Sequence, residues 1–500
     1  MPDRDFYLNK EKGVARIRAA YLVHIGRVLA LIGRDSAAAA TAAQRVMAFE
    51  SALAKVSRPL EALRDPPKNY NKMRTADATA KHTPSIDWAG RLGAWGIHPD
   101  SVIVGQPEFF DAVNRLLAAT PVPVLQDYLR FHLASEYAPF LSAPFVKEHF
   151  EFYSRALNGQ QELRPRWKRV LDAEEEAMGM VLGRIFVKAY YPESAKQRHS
   201  ALVVAIREAF KERIARLAWM SDSTKAKAQA KLAAVTPKVG YPDKWKDYSK
   251  LVVGTESYGA NMMSAARWHF DDMLSKYGKP VDRTEWEMTP QTYNAYYNPS
   301  NNEIVLPAAE FAIPGIADSM VDDAVIYGYA AASTIGHELT HGFDDEGRQF
   351  DAAGNLTDWW TASDNKQFNA RAHVMARQFD AYEPLPGLHI NGQASLGENL
   401  ADYGGILLGI DAFKKTAQYR EGKKIAGLTP MQRFFLGYAL SWQSQQREER
   451  LRRGLLSDVH APAKWRVLGP LSNIPEFYEA FGVKPGQPMW RADSMRVQVW

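Results

Sequence analysis

The chain has 500 residues, 46% apolar and 24% charged, ordinary for a globular protein and long enough for two or three domains with sizeable cores. Its 62 basic and 57 acidic residues leave a net charge of only +5, a mixed surface that argues against nucleic acid as a partner. There is no cysteine, which excludes disulfides, a thiolate metal cluster and a cysteine nucleophile.

Residues 1–5 are charged and lack the apolar core of a signal peptide. The stretch 19–32 is broken by His24 and Arg27 and is too short for a bilayer, so no membrane segment is expected. Apolar residues at three- and four-residue spacing predict helices over 15–32 and 42–63, with the alanine run 37–43 either helical or a linker. The Pro-, Asn- and Lys-rich stretch 65–87 reads as a loop. Further helices are expected over 107–119, 124–135, 145–157, 166–190 and 201–219. Ser221 or Asp222 should cap another over 224–235. Beyond Gly240-Tyr241-Pro242 the texture turns aromatic and β-like. Residues 292–297 and 303–306 flank Asn298-Pro299-Ser300-Asn301-Asn302 as two short strands joined by a turn. A helical first domain and a mixed α/β second domain follow, with the boundary between 250 and 290.

The chemistry concentrates in His337-Glu338-Leu339-Thr340-His341, which ends the apolar run 324–335 and reads as part of a buried helix. Histidines at i and i+4 project from one face and can share one ion, with Glu338 beside them to act on a water. The five-residue pattern is short enough to recur by chance. Its apolar setting sharpens it, because two histidines and a glutamate buried without partners would be costly. A third histidine at 347 would complete one type of zinc site, but that position is glycine and 344 is aspartate. Glu398, in Glu398-Asn399-Leu400-Ala401-Asp402 at the expected start of a later helix, supplies a carboxylate ligand instead, the gluzincin arrangement. Asp402, one turn on, can accept the free N–H of a ligand imidazole. Asp344, three residues after His341, can do the same. Asp402 is expected to serve His337, although spacing alone leaves the pairing open.

With these motifs the chain resembles the neprilysin family of zinc endopeptidases (peptidase family M13, which includes the endothelin-converting enzymes). Asn294-Ala295-Tyr296-Tyr297-Asn298-Pro299 and Asn302-Glu303-Ile304-Val305-Leu306-Pro307 are similar to its substrate-aligning edge strand. His337 to Asp345, Gly397 to Asp402, His460-Ala461-Pro462 and Arg466-Val467-Leu468-Gly469 are similar to its site segments. Leu182-Gly183-Arg184, Trp219-Met220-Ser221, Gly240 to Trp245 and the terminal Val499-Trp500 also fit.

The resemblance implies a mainly α fold with a smaller β component: a helical domain over 1–255 capping a thermolysin-like α/β catalytic domain over 291–500, joined by 256–290. It implies one Zn2+ per chain held by His337, His341 and Glu398. Glu338 would be the general base, His460 a transition-state stabiliser, and Asp344 and Asp402 would orient the histidines. Asn294, Ala295 and Arg466 would bind substrate. Oligopeptides are the implied substrates, cut on the amino side of hydrophobic residues. The implied setting is extracytoplasmic, although residues 1–500 show neither leader nor anchor. Family members carry a further N-terminal stretch before the segment matching Pro2 to Leu8. The alternative is therefore a peptide-binding homologue whose catalysis is impaired by truncation.

Overall fold

The computed structural model describes residues 1–500, 61% of them helical and 5% in strands, so the fold is mainly α with a small β component. No helix is long and apolar enough to cross a membrane. The chain divides into two compact units, each assembled from three separate stretches.

The first unit comprises Met1–Met178, Asp247–Val281 and Gln446–Asp458. Its core forms where Val14, Ile17, Tyr21, Ile25 and Val28, one stripe of the helix Lys12–Leu31, meet Ala39, Ala42, Ala43 and Val46 of the helix Ser36–Val56. The alanine run is thus helical, capped by Asp35, whose carboxylate accepts from Ala37 N and Ala38 N at 3.1 Å. Stretch 65–87 is not all loop. Lys72–Arg74 pairs antiparallel with Ser101–Ile103, and Thr75–His82 is a short helix, elements too brief for periodicity to reveal.

The second unit comprises Gly179–Lys246, Asp282–Gln445 and Val459–Trp500. The division departs from the expected break after residue 255, and two pairings explain it. Thr236–Gly240 runs parallel to Glu303–Pro307, and the helix Glu193–Arg216 packs on the helix Leu396–Phe413, with Arg213 Nε 3.0 Å from Asp411 Oδ2. Residues 179–246 therefore fold with the site-bearing part of the chain. The long helix Arg166–Tyr190 is kinked at Met178 (φ −151°, ψ 38°), where the division falls.

In this unit Glu303–Pro307 is the central strand of three. Tyr296–Asn298 pairs antiparallel with its other side, in register Tyr296 to Val305, and is an edge strand. The turn between them closes on Asn302 (φ 48°), a left-handed position that asparagine tolerates. Its buried amide donates to Lys231 O at 3.1 Å and Ala352 O at 3.2 Å.

Candidate active site

The buried run after Asp322 begins as the helical turn Asp323–Ile326 and widens into i→i+5 (π) turns over Tyr327–Gly336. It then tightens into the α-helical turn His337–His341. Wide turns of this kind often lie beside functional residues. The segment packs against the helix Leu396–Phe413, which is buried along nearly its whole length. Glycine permits the approach: a Cβ on Gly336 would lie 2.8 Å from Gly405 Cα, and one on Gly405 would lie 2.3 Å from Ala332 O. Two touching backbones put Glu398 within reach of both histidines.

Suitable donor atoms of His337, His341 and Glu398 all lie within 4.8 Å of one another. The two Nε2 atoms face each other at 2.9 Å, and Glu398 Oε2 lies 3.3 Å from the first and 3.7 Å from the second. Each ring turns its other nitrogen to a carboxylate, His337 Nδ1 to Asp402 Oδ1 at 2.9 Å and His341 Nδ1 to Asp344 Oδ2 at 2.7 Å. With Nδ1–H donated outward, both Nε2 lone pairs point into the space shared with Glu398. Two imidazole nitrogens and one carboxylate oxygen are a donor set suited to zinc, and the outward carboxylates fix the tautomers that a cation requires.

Burial disfavours charge on His341, but Glu398 and Asp344 outweigh it and hold the imidazole well above its usual value. Burial likewise opposes charge on Glu398, and the facing His341 and His460 keep its carboxyl well below the ordinary range. Glu338, buried on the same turn, is shifted the other way: desolvation raises it, against the pull of His337 and His341.

The remaining expected residues divide into those that join this centre and those beside it. His460, with its side chain 45% exposed, brings Nε2 to 3.2 Å from Glu398 Oε2. Arg466 is buried and donates Nε to Asp402 Oδ2 at 2.8 Å and Nη2 to Asp402 Oδ1 at 2.7 Å. Its guanidinium stacks 3.9 Å over the Trp442 ring, and its carbonyl accepts from Tyr438 OH at 2.9 Å. Asn294, exposed, and Ala295, buried, lead directly into the edge strand Tyr296–Asn298, which packs against the His337–His341 turn.

Lys231 escapes a reading of the sequence. It is 1% exposed and donates Nζ to Gly347 O at 2.6 Å and Phe350 O at 2.7 Å, bracing the turn that presents Asp344. In sequence it resembles its neighbours Lys225, which is half-buried, and Lys227, which is exposed. The available clue is its place on the buried stripe with Thr224, Ala228 and Leu232. Burial lowers its pKa from 10.5 to about 7, so the unfolded chain binds more protons between those values and this group makes stability rise with pH across that window. Lys231→Met should cost about 1–3 kcal/mol for each carbonyl left unsatisfied. It should also flatten that rise, as checked by denaturant unfolding at neutral and alkaline pH.

A mainly helical protein that lays an HExxH turn against a glutamate-bearing helix falls in the thermolysin-like, gluzincin class. The relationship is narrower than the class. Residues 1–242 and 294–497 each match peptidase family M13, and the chain belongs to that family. It is 33% identical to endothelin-converting enzyme 1 of Cavia porcellus, over 98% of this chain and 66% of that enzyme, so it spans about two thirds of that relative's length. Neprilysin-3 of Drosophila melanogaster is 30% identical over 100% of this chain and 66% of its own. Among solved structures, zinc metalloprotease Zmp1 of Mycobacterium tuberculosis in complex with inhibitor superposes with a TM-score of 0.94 at 37% identity, over 100% of this chain and 76% of that one.

Proposed function

We propose that this protein is a zinc-dependent endopeptidase of oligopeptides, with one Zn2+ held by His337, His341 and Glu398. The observation that carries this reading is the convergence of those three side chains, each ring fixed by its own carboxylate, beside a buried Glu338. Bound zinc supplies a Lewis acid that activates water near neutral pH and polarises a carbonyl.

The chain's own residues do the rest. A peptide adds to the open side of Tyr296–Asn298 by main-chain pairing, aligned by Asn294 and Ala295, a mode that reads backbone more than sequence. Glu338 takes the proton of the attacking water and passes it to the leaving amine. His460 donates to the oxyanion that develops on the substrate carbonyl. Asp402 and Asp344 keep the ligand rings in place. Asp402 also takes the Nε–Nη2 edge of Arg466, so Nη1 is the part of that fork turned to a substrate carbonyl or carboxylate.

The resemblance implies cleavage before hydrophobic residues.

The test is cleavage of a quenched oligopeptide library by the purified chain. Chelation is expected to abolish turnover, and about one zinc per chain, counted by metal analysis, to restore it. Turnover indifferent to chelator would remove the metal assignment. A zinc-loaded chain that binds peptides without cutting them would favour the binding homologue.

A further inference from the structure

Glu310 lies in the short helical turn Ala308–Phe311 that directly follows the central strand of the sheet. Its Oε1 accepts from Thr334 Oγ1 at 2.9 Å, while its Oε2 is buried with no hydrogen-bond partner. Thr334 lies one turn before His337, so this carboxyl borders the metal-binding turn. Beside it, the Tyr293 hydroxyl donates to Tyr329 OH at 2.9 Å, and Tyr329 OH donates to Ala312 O at 3.0 Å. Both tyrosines feel the Glu310 charge. Tyr293 immediately precedes Asn294 at the entry to the edge strand. Glu310 thus lies near both the entry to the edge strand and the turn that carries His337.

No cation forms an ion pair with it. Arg466 has its Nε–Nη2 edge on Asp402, while His337 is turned to Asp402 and Glu398. Burial, with the Glu338 charge, lifts the Glu310 carboxyl to about 7 against the Thr334 hydrogen bond and the weaker pull of His337 and Arg466. A residue needed only for packing would be apolar, since a buried carboxylate without a counter-ion is costly and half of this one is unsatisfied. Such groups collect at functional sites.

We infer that Glu310 is the base of a specificity pocket that takes a basic side chain, lysine or arginine, from the substrate residue beside the scissile bond. The inference rests on the peptidase reading. The ammonium or guanidinium supplies the missing donor to Oε2, the tyrosine rings offer faces that attract a cation, and the alkyl stem occupies the space an apolar side chain would fill.

The experiment moves a single lysine through the positions around the cleavage site of one otherwise apolar quenched peptide, with leucine as reference. The zinc-loaded chain should favour lysine at one position by roughly ten- to hundredfold in kcat/KM, the range of a hydrogen bond to a charged partner. Glu310→Gln should shrink that ratio and Glu310→Leu should invert it. Calorimetry with the zinc-loaded Glu338→Gln protein reads binding without turnover, and the same lysine peptide should bind more tightly than its leucine counterpart only while Glu310 is present. No lysine preference at any position, or one that survives both Glu310 variants, overturns the pocket. Glu310-dependent binding by a wild-type chain that cuts nothing leaves the pocket standing and removes the peptidase reading.

Discussion

Glu338→Gln is expected to keep its zinc and lose roughly a hundred- to ten-thousandfold in kcat, the usual worth of a positioned general base. The amide matches the carboxylate in size, so the packing of this buried side chain is retained. The group that could hold a metal ion is His337, His341 and Glu398, without Glu338, so the change removes a proton acceptor and leaves that donor set intact. Three measurements separate the possibilities. Zinc content should stay near one per chain, thermal stability should move little, and turnover of a quenched peptide should collapse with KM nearly unchanged. Full turnover in this variant would remove the general-base assignment. Loss of zinc would instead make Glu338 a determinant of metal binding.

The parts of this site legible in the sequence are those written locally. Histidines at i and i+4 in an apolar run state a shared face, and the Glu398–Asp402 spacing states another. What brings the two faces together is not local: the contact at Gly336 and Gly405 joins segments far apart in the chain. The π turns over Tyr327–Gly336 leave no mark in a pattern of apolar residues that is buried all round. The helix Glu193–Arg216 starts earlier than its apolar stripe suggests, because its first turns are polar. The strand Thr236–Gly240 was hidden by its length and by Pro237, and its parallel pairing with Glu303–Pro307 moves residues 179–246 into the site-bearing unit. The burial of Lys231 and the enclosure of Glu310 Oε2 carry no signal beyond position on a stripe or after a strand. For charged residues, burial is decided by tertiary packing.

Arg466→Ala is expected to destabilise the fold by about 3–5 kcal/mol, the cost of stripping one partner from a buried, hydrogen-bonded ion pair. Asp402 is 0% exposed and spends one oxygen on Arg466 Nε and the other on both Arg466 Nη2 and His337 Nδ1. Burial opposes its charge, while Arg466 and His337 hold its carboxyl below the ordinary value. Without the guanidinium, Asp402 must remain charged with one partner or take up a proton and lose its grip on the His337 ring. Either outcome loosens His337, a proposed zinc ligand, so zinc affinity should fall together with peptide binding. A double-mutant cycle with Asp402→Asn apportions the effect. If Arg466 acts through Asp402, removing both should cost much less in stability than the two single losses added, and zinc affinity should follow the same pattern. Losses that simply add would leave Arg466 as a substrate contact with no part in holding the metal site.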